Sequence, residues 1–109
     1  MEKKYTIYKG ENLKRALISV WDKSNVVELS KFLIKNNYEI ISTGGTKKLL
    51  IENNIDVISI SEITKSKEMM NGRVKTLHPK IFGGILADRF NQSHIDDLKS
   101  INGKPIDLI

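Results

Sequence analysis

The sequence contains no cysteine, which excludes disulfide bonds, thiolate chemistry and cysteine-based zinc sites. Its only two histidines, His78 and His94, lie far apart in the chain, so we expect no metal cage built from protein ligands. No nucleophile motif accompanies them, as a Ser-His-Asp triad would require. The absence of cysteine is also consistent with the cytoplasmic location that we expect.

Long apolar runs are missing as well. No stretch of about 18 apolar residues occurs, so we expect neither a transmembrane helix nor a membrane partner. The first eight residues carry two lysines without a following apolar segment, unlike a secretory signal peptide. With 109 residues, 39% of them hydrophobic and 28% charged, the composition is typical of one globular domain with a buried core.

Basic residues exceed acidic ones and give a formal net charge of +5. Such a charge is compatible with binding to nucleic-acid phosphates, or with a solvated lysine-rich surface that holds a site for a small anion. The lysines are scattered rather than grouped in a run. Aromatic residues, at 6%, are few for a surface that stacks bases. The composition therefore favours a small anionic ligand over a nucleic-acid partner.

Apolar periodicity predicts alternating strands and helices from Arg15 onward, after polar residues 1–14 that we expect to form a tail or a short strand. The predicted strands are 16–20, 38–42 and 55–60, with another strand or its approach at 83–87 and a further strand beginning at 106–109. The predicted helices are one of about three turns with Val26, Leu29, Phe32 and Leu33 inward, and two more at 46–52 and 94–101. Residues 61–80 are expected to be loop with short helical pieces.

Local signals set the expected ends of these helices. Ser24 or Asn25 is a suitable N-cap for the first helix. Asparagine pairs at 36–37 and 53–54 are expected to end the first two helices, and Asn102-Gly103 the last.

The alternation predicts an α/β fold with a mainly parallel, twisted sheet over residues 15–109. Right-handed crossovers bring the strand-to-helix turns to one edge, outside the carboxyl ends of the strands, where such folds bind ligands. A parallel sheet rarely ends on a short apolar strand such as 106–109, because that strand would be an exposed edge. We therefore expect the domain to continue beyond Ile109.

A candidate phosphate-binding loop, Ser42-Thr43-Gly44-Gly45-Thr46, follows the second predicted strand. Glycines allow close backbone approach, the free N–H groups at a helix start attract an anion, and three hydroxyl groups add donors. The loop is neither a Walker loop nor a dinucleotide fingerprint. A tight turn with a threonine N-cap would explain the same residues, so both interpretations stay open.

Two further groups of cations are predicted near this loop. Lys23 follows the first strand and is suited to bind phosphate as a point charge, although a solvated lysine beside a capping Asp22 is the simpler interpretation. Arg73 and Lys75 lie in the basic segment 71–80 and project to the same side if that segment is extended. A basic surface loop is the alternative there. We expect His78, before a proline, to make a structural hydrogen bond.

Four segments together resemble the IMP cyclohydrolase family. They are ALISVWDK at 16–23, STGGT at 42–46, EMMNGRVKTLHPK at 68–80 and GGILA at 83–87. The strand with its Asp-Lys and the Thr-Gly-Gly-Thr loop are shared with the wider methylglyoxal-synthase-like superfamily. GRVKTLHP, at 72–79, is specific to the cyclohydrolases. The similarity extends from Leu13 to Ile109.

The resemblance implies a three-layer α/β/α domain that closes formyl-AICAR to IMP and releases water, a hydrolase activity named for the reverse reaction. It implies one part of a bifunctional AICAR formyltransferase/IMP cyclohydrolase of purine biosynthesis, which would be a cytoplasmic homodimer. The cyclohydrolase would need no metal or cofactor. The formyltransferase domain, absent from this sequence, would use 10-formyltetrahydrofolate.

By position, the resemblance assigns the 5′-phosphate to Lys23, Ser42, Thr43, Gly44, Gly45 and Thr46. Arg73, Lys75 and Thr76 would line the base side, with Lys75 as the catalytic candidate. Two positions depart from the family pattern: Trp21 stands where serine is frequent, and Asn25 where glycine is common. A catalytic tyrosine and aspartate of the family fall beyond Ile109.

Two other functions within the superfamily compete with this one. A regulatory module that binds a phosphorylated metabolite without turnover needs the phosphate loop but not Lys75. Methylglyoxal synthase, a lyase acting on dihydroxyacetone phosphate, should carry a His-Asp pair after the first strand, where this chain has Trp21-Asp22. The sequence therefore favours the cyclohydrolase.

Overall fold

The computed structural model describes residues 13–67, 70 and 76–109. Its elements, in chain order, are β1 (Lys14–Ile18), α1 (Val26–Lys35), β2 (Tyr38–Ser42), α2 (Gly44–Glu52), β3 (Ile58–Ser59), α3 (Ile60–Thr64), α4 (Pro79–Leu86) and α5 (Gln92–Ser100). β1 begins one residue before the predicted domain boundary, and residues 1–12 of the predicted tail lie outside the described part. None of these helices has the length and apolar composition needed to cross a membrane.

The three strands form a parallel sheet in the order β1-β2-β3. β1 pairs with β2 along its whole length, from Lys14 opposite Tyr38 to Ile18 opposite Ser42. On the other side of β1, Leu108 forms a parallel bridge with Ala16. The predicted strand at 106–109 is thus represented in the described chain by one bridge at the sheet edge.

Apolar side chains cover both faces of the sheet, because successive residues of a strand point to opposite sides. One core lies under α1 and α2 and is formed by Ala16, Ile18, Val26, Leu33, Ile40, Leu50 and Ile55. The opposite core lies under α3 and α4 and is formed by Leu17, Ile41, Ile60, Ile81 and Ile106. Helices therefore flank both faces, and the predicted three-layer α/β/α fold with a parallel sheet is confirmed.

Asp107 fixes the last segment against β1. Its Oδ2 accepts a hydrogen bond from the backbone N–H of Arg15 at 2.7 Å, and its Oδ1 accepts one from Arg89 Nη1 at 2.6 Å. Arg89 also donates to the Ile106 carbonyl at 3.1 Å. The Leu108 carbonyl accepts from Leu17 N–H at 2.8 Å, which continues the pairing.

The predicted third strand, 55–60, is wrong in its extent, since β3 contains only Ile58 and Ser59. Ile60 already begins α3, because Ser59 and Glu62 form a capping box. In it the Ser59 N–H donates to Glu62 Oε1 at 2.7 Å. The local helix-start signal overrides the β-branched run that predicted a longer strand.

The predicted strand at 83–87 is also wrong, because these residues belong largely to α4. Pro79 occupies the first helical turn, and the Nδ1 of the N-cap His78 accepts a hydrogen bond from Lys80 N–H at 3.1 Å. Both features start a helix where the apolar run alone suggested a strand.

α1 has a different buried face from the predicted one. Val26 and Leu33 are buried as expected, together with Ser30, but Leu29 is 46% exposed and Phe32 60% exposed. The stripe Val26–Ser30–Leu33 faces the sheet because its spacing of four and three places it on one side of the helix. The prediction that Leu29 and Phe32 point inward is therefore wrong.

Asparagines with left-handed backbone conformation end three helices. The φ angles of Asn37, Asn54 and Asn102, which follow α1, α2 and α5, are 68°, 62° and 57°. Asparagine tolerates this conformation better than most residues, so the predicted asparagine stops are confirmed. Asn25, at the start of α1, also has a positive φ of 63° and makes no side-chain cap bond, so its predicted capping mechanism is wrong.

We predict that substitution by alanine has different effects on stability at the two adjacent glycines of α4. A Cβ on Gly84 would lie 2.5 Å from the Lys104 carbonyl oxygen, whereas one on Gly83 would meet only the end of the Leu98 side chain, at 3.3 Å. Gly84→Ala should lower the free energy of unfolding by about 1–3 kcal/mol. Gly83→Ala, the matched control, should leave it unchanged or raise it by up to about 1 kcal/mol, because alanine favours the helix.

Urea unfolding of both variants measures these changes. The dependence of the unfolding free energy on urea concentration should be the same in both, so that a shift of the midpoint reports a change in stability. Equal destabilisation by the two substitutions would contradict the proposed close approach of α4 to the Lys104 backbone.

Candidate phosphate-binding site

The loops that follow β1 and β2 meet at the carboxyl edge of the sheet, as predicted. Ile18 and Ser42, the last residues of the two strands, are register partners. The loop after β1 continues through residues 19–25 to α1, and the turn after β2 consists of Thr43 alone before α2 begins at Gly44. The predicted helix start at Thr46 is therefore two residues late.

Two buried hydroxyl groups join these loops. Ser42 Oγ donates to the Ile18 carbonyl at 2.6 Å. Thr46 Oγ1 donates to the Val20 carbonyl at 3.2 Å and accepts from the Val20 N–H at 3.3 Å. Both residues are buried. Their hydroxyls thus hold the β1 loop against the start of α2, and the prediction that they also contact a phosphate stays a prediction.

Thr43 differs from these two residues because its hydroxyl has no partner among the described residues. It is the N-cap of α2, yet its side chain makes no cap hydrogen bond. Thr43 is only 4% exposed, and its Oγ1 is a buried atom without a hydrogen bond. An unpaired buried hydroxyl is costly. A ligand acceptor at the start of α2 would satisfy it.

The first turn of α2 supplies further donors. The first N–H groups of a helix have no acceptor within the helix, and the helix dipole favours a negative charge there. Gly44 has a φ of 55°, a left-handed conformation that glycine adopts without strain. Gly44 and Gly45 are both exposed, so their backbone is open to solvent.

Lys23 places a cation over this helix start. Its Nζ donates to the Val20 carbonyl at 2.8 Å and lies 3.4 Å from the Trp21 carbonyl. A Cβ built on Gly45 would lie 3.4 Å from Lys23 Cε and 3.9 Å from Nζ, so glycine at 45 leaves room for the ammonium group. Lys23 therefore lies against the first turn of α2, whose N-cap is Thr43. That these groups bind an anion stays a prediction.

Asp22 faces its own loop instead of providing a further ligand. Its Oδ1 accepts from the Ser24 N–H at 2.9 Å. The hydroxyl hydrogen bond from Ser24, followed by this backbone bond, lowers the pKa of Asp22. The ionised carboxylate stabilises the turn before α1 but does not cap the helix, whose N-cap is Asn25, so the expected capping role of Asp22 is wrong.

Thr76 lies at the same edge of the sheet. It lines a cavity of about 370 Å³ together with Leu17, Ile18, Ser19, Val20, Leu29, Leu108 and Ile109. Val20, which lines the same cavity, also bonds to Thr46 through its backbone. The other predicted base-side residues, Arg73 and Lys75, lie outside the described residues.

The two histidines have structural roles. His78 Nδ1 caps α4, which confirms the predicted structural hydrogen bond. His94 is exposed at the start of α5, and its Nδ1 accepts from the Asp88 N–H at 3.0 Å. In residues 13–67, 70 and 76–109, no three His, Asp or Glu side chains group as metal ligands do.

The backbone of Val20 belongs to the site, and the sequence did not predict it. Its carbonyl accepts from both Lys23 and Thr46, and its N–H donates to Thr46. Any residue type offers these groups, so no sequence signal marks them.

The chain is similar in sequence to one domain family and to proteins of purine biosynthesis. A sequence model of the MGS-like domain family matches residues 25–109. The bifunctional purine biosynthesis protein PurH of Lactobacillus acidophilus is 55% identical over 97 residues, which are 89% of this chain and 19% of that protein. PurH of Bacillus cereus is 55% identical over 96 residues, 88% of this chain and 19% of that protein. The chain thus spans about a fifth of the length of these relatives.

A solved structure is also similar. The crystal structure of ForH superposes with a TM-score of 0.80 at 28% sequence identity, covering 89% of this chain and 51% of that one. The likeness extends the sequence comparison to the arrangement of the sheet and its helices.

We predict that two equally buried serines respond differently to alanine. Ser42→Ala should lower the free energy of unfolding by about 1–2 kcal/mol, because the Ile18 carbonyl loses its donor. Ser30, the control, is also fully buried, but its Oγ has no hydrogen bond among the described residues. Ser30→Ala should leave stability unchanged or raise it by about 1 kcal/mol. A larger loss at Ser30 than at Ser42, in thermal or urea unfolding, would refute this assignment.

Proposed function

Because this chain belongs to the MGS-like domain family, we propose that it is part of an IMP cyclohydrolase domain and binds the 5′-phosphate of a purine nucleotide at the start of α2. The observation that carries the proposal is the buried, unpartnered hydroxyl of Thr43 beside free helix N–H groups. The relatives' name, bifunctional purine biosynthesis protein, supports the nucleotide class.

The phosphate contacts follow from the available donors. Thr43 would donate its hydroxyl, and Gly44, Gly45 and Thr46 their backbone N–H groups, in the manner of anion sites at helix starts. Lys23 would add a charge-assisted hydrogen bond, since an ammonium has three N–H donors and two backbone carbonyls lie near it. Ser42 would fix the end of β1 against this loop through its bond to the Ile18 carbonyl, and its phosphate contact stays a prediction.

The reaction on the base side is a ring closure. In formyl-AICAR the carboxamide nitrogen attacks the formyl carbon, a C–N bond forms, and the former formyl oxygen leaves as water. Holding the two groups in contact supplies much of the rate, with effective molarities of order 10⁵ M or more. Lys75, supported by Arg73 and Thr76, would stabilise the oxygen as it gains charge, and an acid would assist its departure.

The wider proposal follows from the same family assignment. The enzyme would be a cytoplasmic homodimer whose cyclohydrolase part uses no metal or cofactor. Its formyltransferase domain would use 10-formyltetrahydrofolate. The substrates of this chain would be formyl-AICAR and IMP, with no nucleic-acid or membrane partner.

A regulatory module is the second candidate function. The observation that favours it is that the groups assembled among the described residues are phosphate ligands, which a metabolite-sensing domain would also need. Such a module would bind a phosphorylated metabolite with no dependence on Lys75. Turnover therefore separates the two functions more clearly than binding does.

We predict that Thr43→Val weakens IMP binding about tenfold or more, because a hydrogen bond to a charged group is lost. Thr43→Ser, the control, should bind nearly as well as the parent, since it keeps the hydroxyl. Neither change should lower stability much, because the side chain makes no cap bond. Calorimetric titration with IMP, and with dihydroxyacetone phosphate as the counter-ligand, measures this. Equal IMP affinity in all three proteins would contradict the phosphate site.

A second prediction concerns Lys75 in the complete bifunctional enzyme. Lys75→Ala should lower kcat for ring closure by 100-fold or more, on the order of the loss when one transition-state donor is removed. Formyltransferase turnover of the same protein is the internal control and should not change. Unaltered ring closure would rule out the role given to Lys75 and would favour the regulatory module.

A further inference from the structure

Trp21 is the only tryptophan of the chain, and it is 97% exposed. Tryptophan is highly buried on average, because its large apolar surface is unfavourable in water. In loops, such exposed aromatic side chains are typical of binding surfaces, where one face of the ring meets a ligand. The described contacts of Trp21 are made by its backbone, so the indole itself contributes nothing to the folded core.

The backbone around Trp21 is held at the anion site. On one side, Val20 bonds through both its N–H and its carbonyl to Thr46 Oγ1, in the first turn of α2. On the other side, Asp22 Oδ1 fixes the turn through the Ser24 N–H at 2.9 Å. The Trp21 carbonyl itself lies 3.4 Å from Lys23 Nζ, the ammonium that stands over Gly45. The loop is therefore anchored on both sides of an exposed indole.

We propose that Trp21 stacks on the purine ring of the nucleotide whose phosphate binds at the start of α2, an inference that rests on the proposed function. A nucleotide carries its ring one ribose beyond the phosphate, and an indole extends a similar length beyond its backbone. The Trp21 carbonyl lies 3.4 Å from Lys23 Nζ, so the indole starts beside the cation that would hold the phosphate.

Stacking of this kind favours ligands that carry an aromatic ring, but it makes no hydrogen bonds to the edge atoms of that ring. Every purine offers a π-face, and base-aromatic stacking tolerates different bases. Trp21 should therefore separate nucleotides from phosphates that lack a base, while discriminating weakly among purines. Trp21 would hold the ring in place and take no part in the reaction itself.

The test compares two ligands that share the phosphate and ribose, namely IMP and ribose 5-phosphate. Because Trp21 is the sole tryptophan, its fluorescence reports directly on its own environment. IMP should change the fluorescence with saturation, whereas ribose 5-phosphate should bind with little change. In calorimetry, Trp21→Ala should weaken IMP binding about tenfold and leave the ribose 5-phosphate affinity unaltered.

Two variants serve as controls for the ring. Trp21→Phe should keep most of the IMP affinity, because it keeps an aromatic face. Trp21→Ser should behave like Trp21→Ala with both ligands, because neither side chain offers an aromatic face. Both variants should fold, since the indole is exposed.

The outcomes separate this inference from the proposed function. If ribose 5-phosphate binds and Trp21→Ala leaves IMP affinity unchanged, the stacking is overturned while the phosphate site stands. If neither ligand binds the folded parent chain, the proposed function fails and the stacking fails with it. A fluorescence change that follows protein concentration instead of IMP would show that a second copy covers Trp21, which also overturns the inference.

Discussion

Two buried hydroxyl groups connect the helix that starts at Gly44 to the loop that follows β1. Ser42 Oγ donates to the Ile18 carbonyl, and Thr46 Oγ1 makes two hydrogen bonds with the Val20 backbone. Through Val20 the same connection reaches Lys23, whose ammonium shares the Val20 carbonyl. The candidate site depends on this connection, because it sets the distance between the cation and the helix start.

The same arrangement divides the polar loop into two kinds of residues. Ser42 and Thr46 have their hydroxyls occupied by protein partners, whereas Thr43 has a buried hydroxyl without one. A family pattern of hydroxyl residues cannot show this division, since serine and threonine suit both roles. The structure makes the distinction by orientation. An anion site requires hydrogen-bond donors that are already in place. The unpaired hydroxyl of Thr43 and the free N–H groups of α2 are such donors, because they need no rearrangement to meet a ligand.

The sequence predicted the elements whose signals are local and consistent. β2 was predicted with its observed bounds, and asparagine stops placed the ends of α1 and α2 correctly. It failed where packing or capping competes with apolar periodicity. The apolar run at 83–87 suggested a strand, but these residues are largely helical, and Gly84 lets α4 approach the Lys104 carbonyl. For the site, the meeting of the loops after β1 and β2 at one edge of the sheet was predictable, whereas the role of the Val20 backbone was not, because backbone groups carry no sequence signal.

The central claim is that the first turn of α2 binds a nucleotide phosphate. The backbone amide resonances of Gly44, Gly45 and Thr46, followed by nuclear magnetic resonance during titration with IMP, test it most directly. An N–H that donates to a phosphate moves strongly downfield. We expect large, saturating downfield shifts for these amides and that of Lys23, and much smaller shifts at the start of α5, a helix of the same length. Saturation of IMP binding without movement of the α2 amides would contradict it.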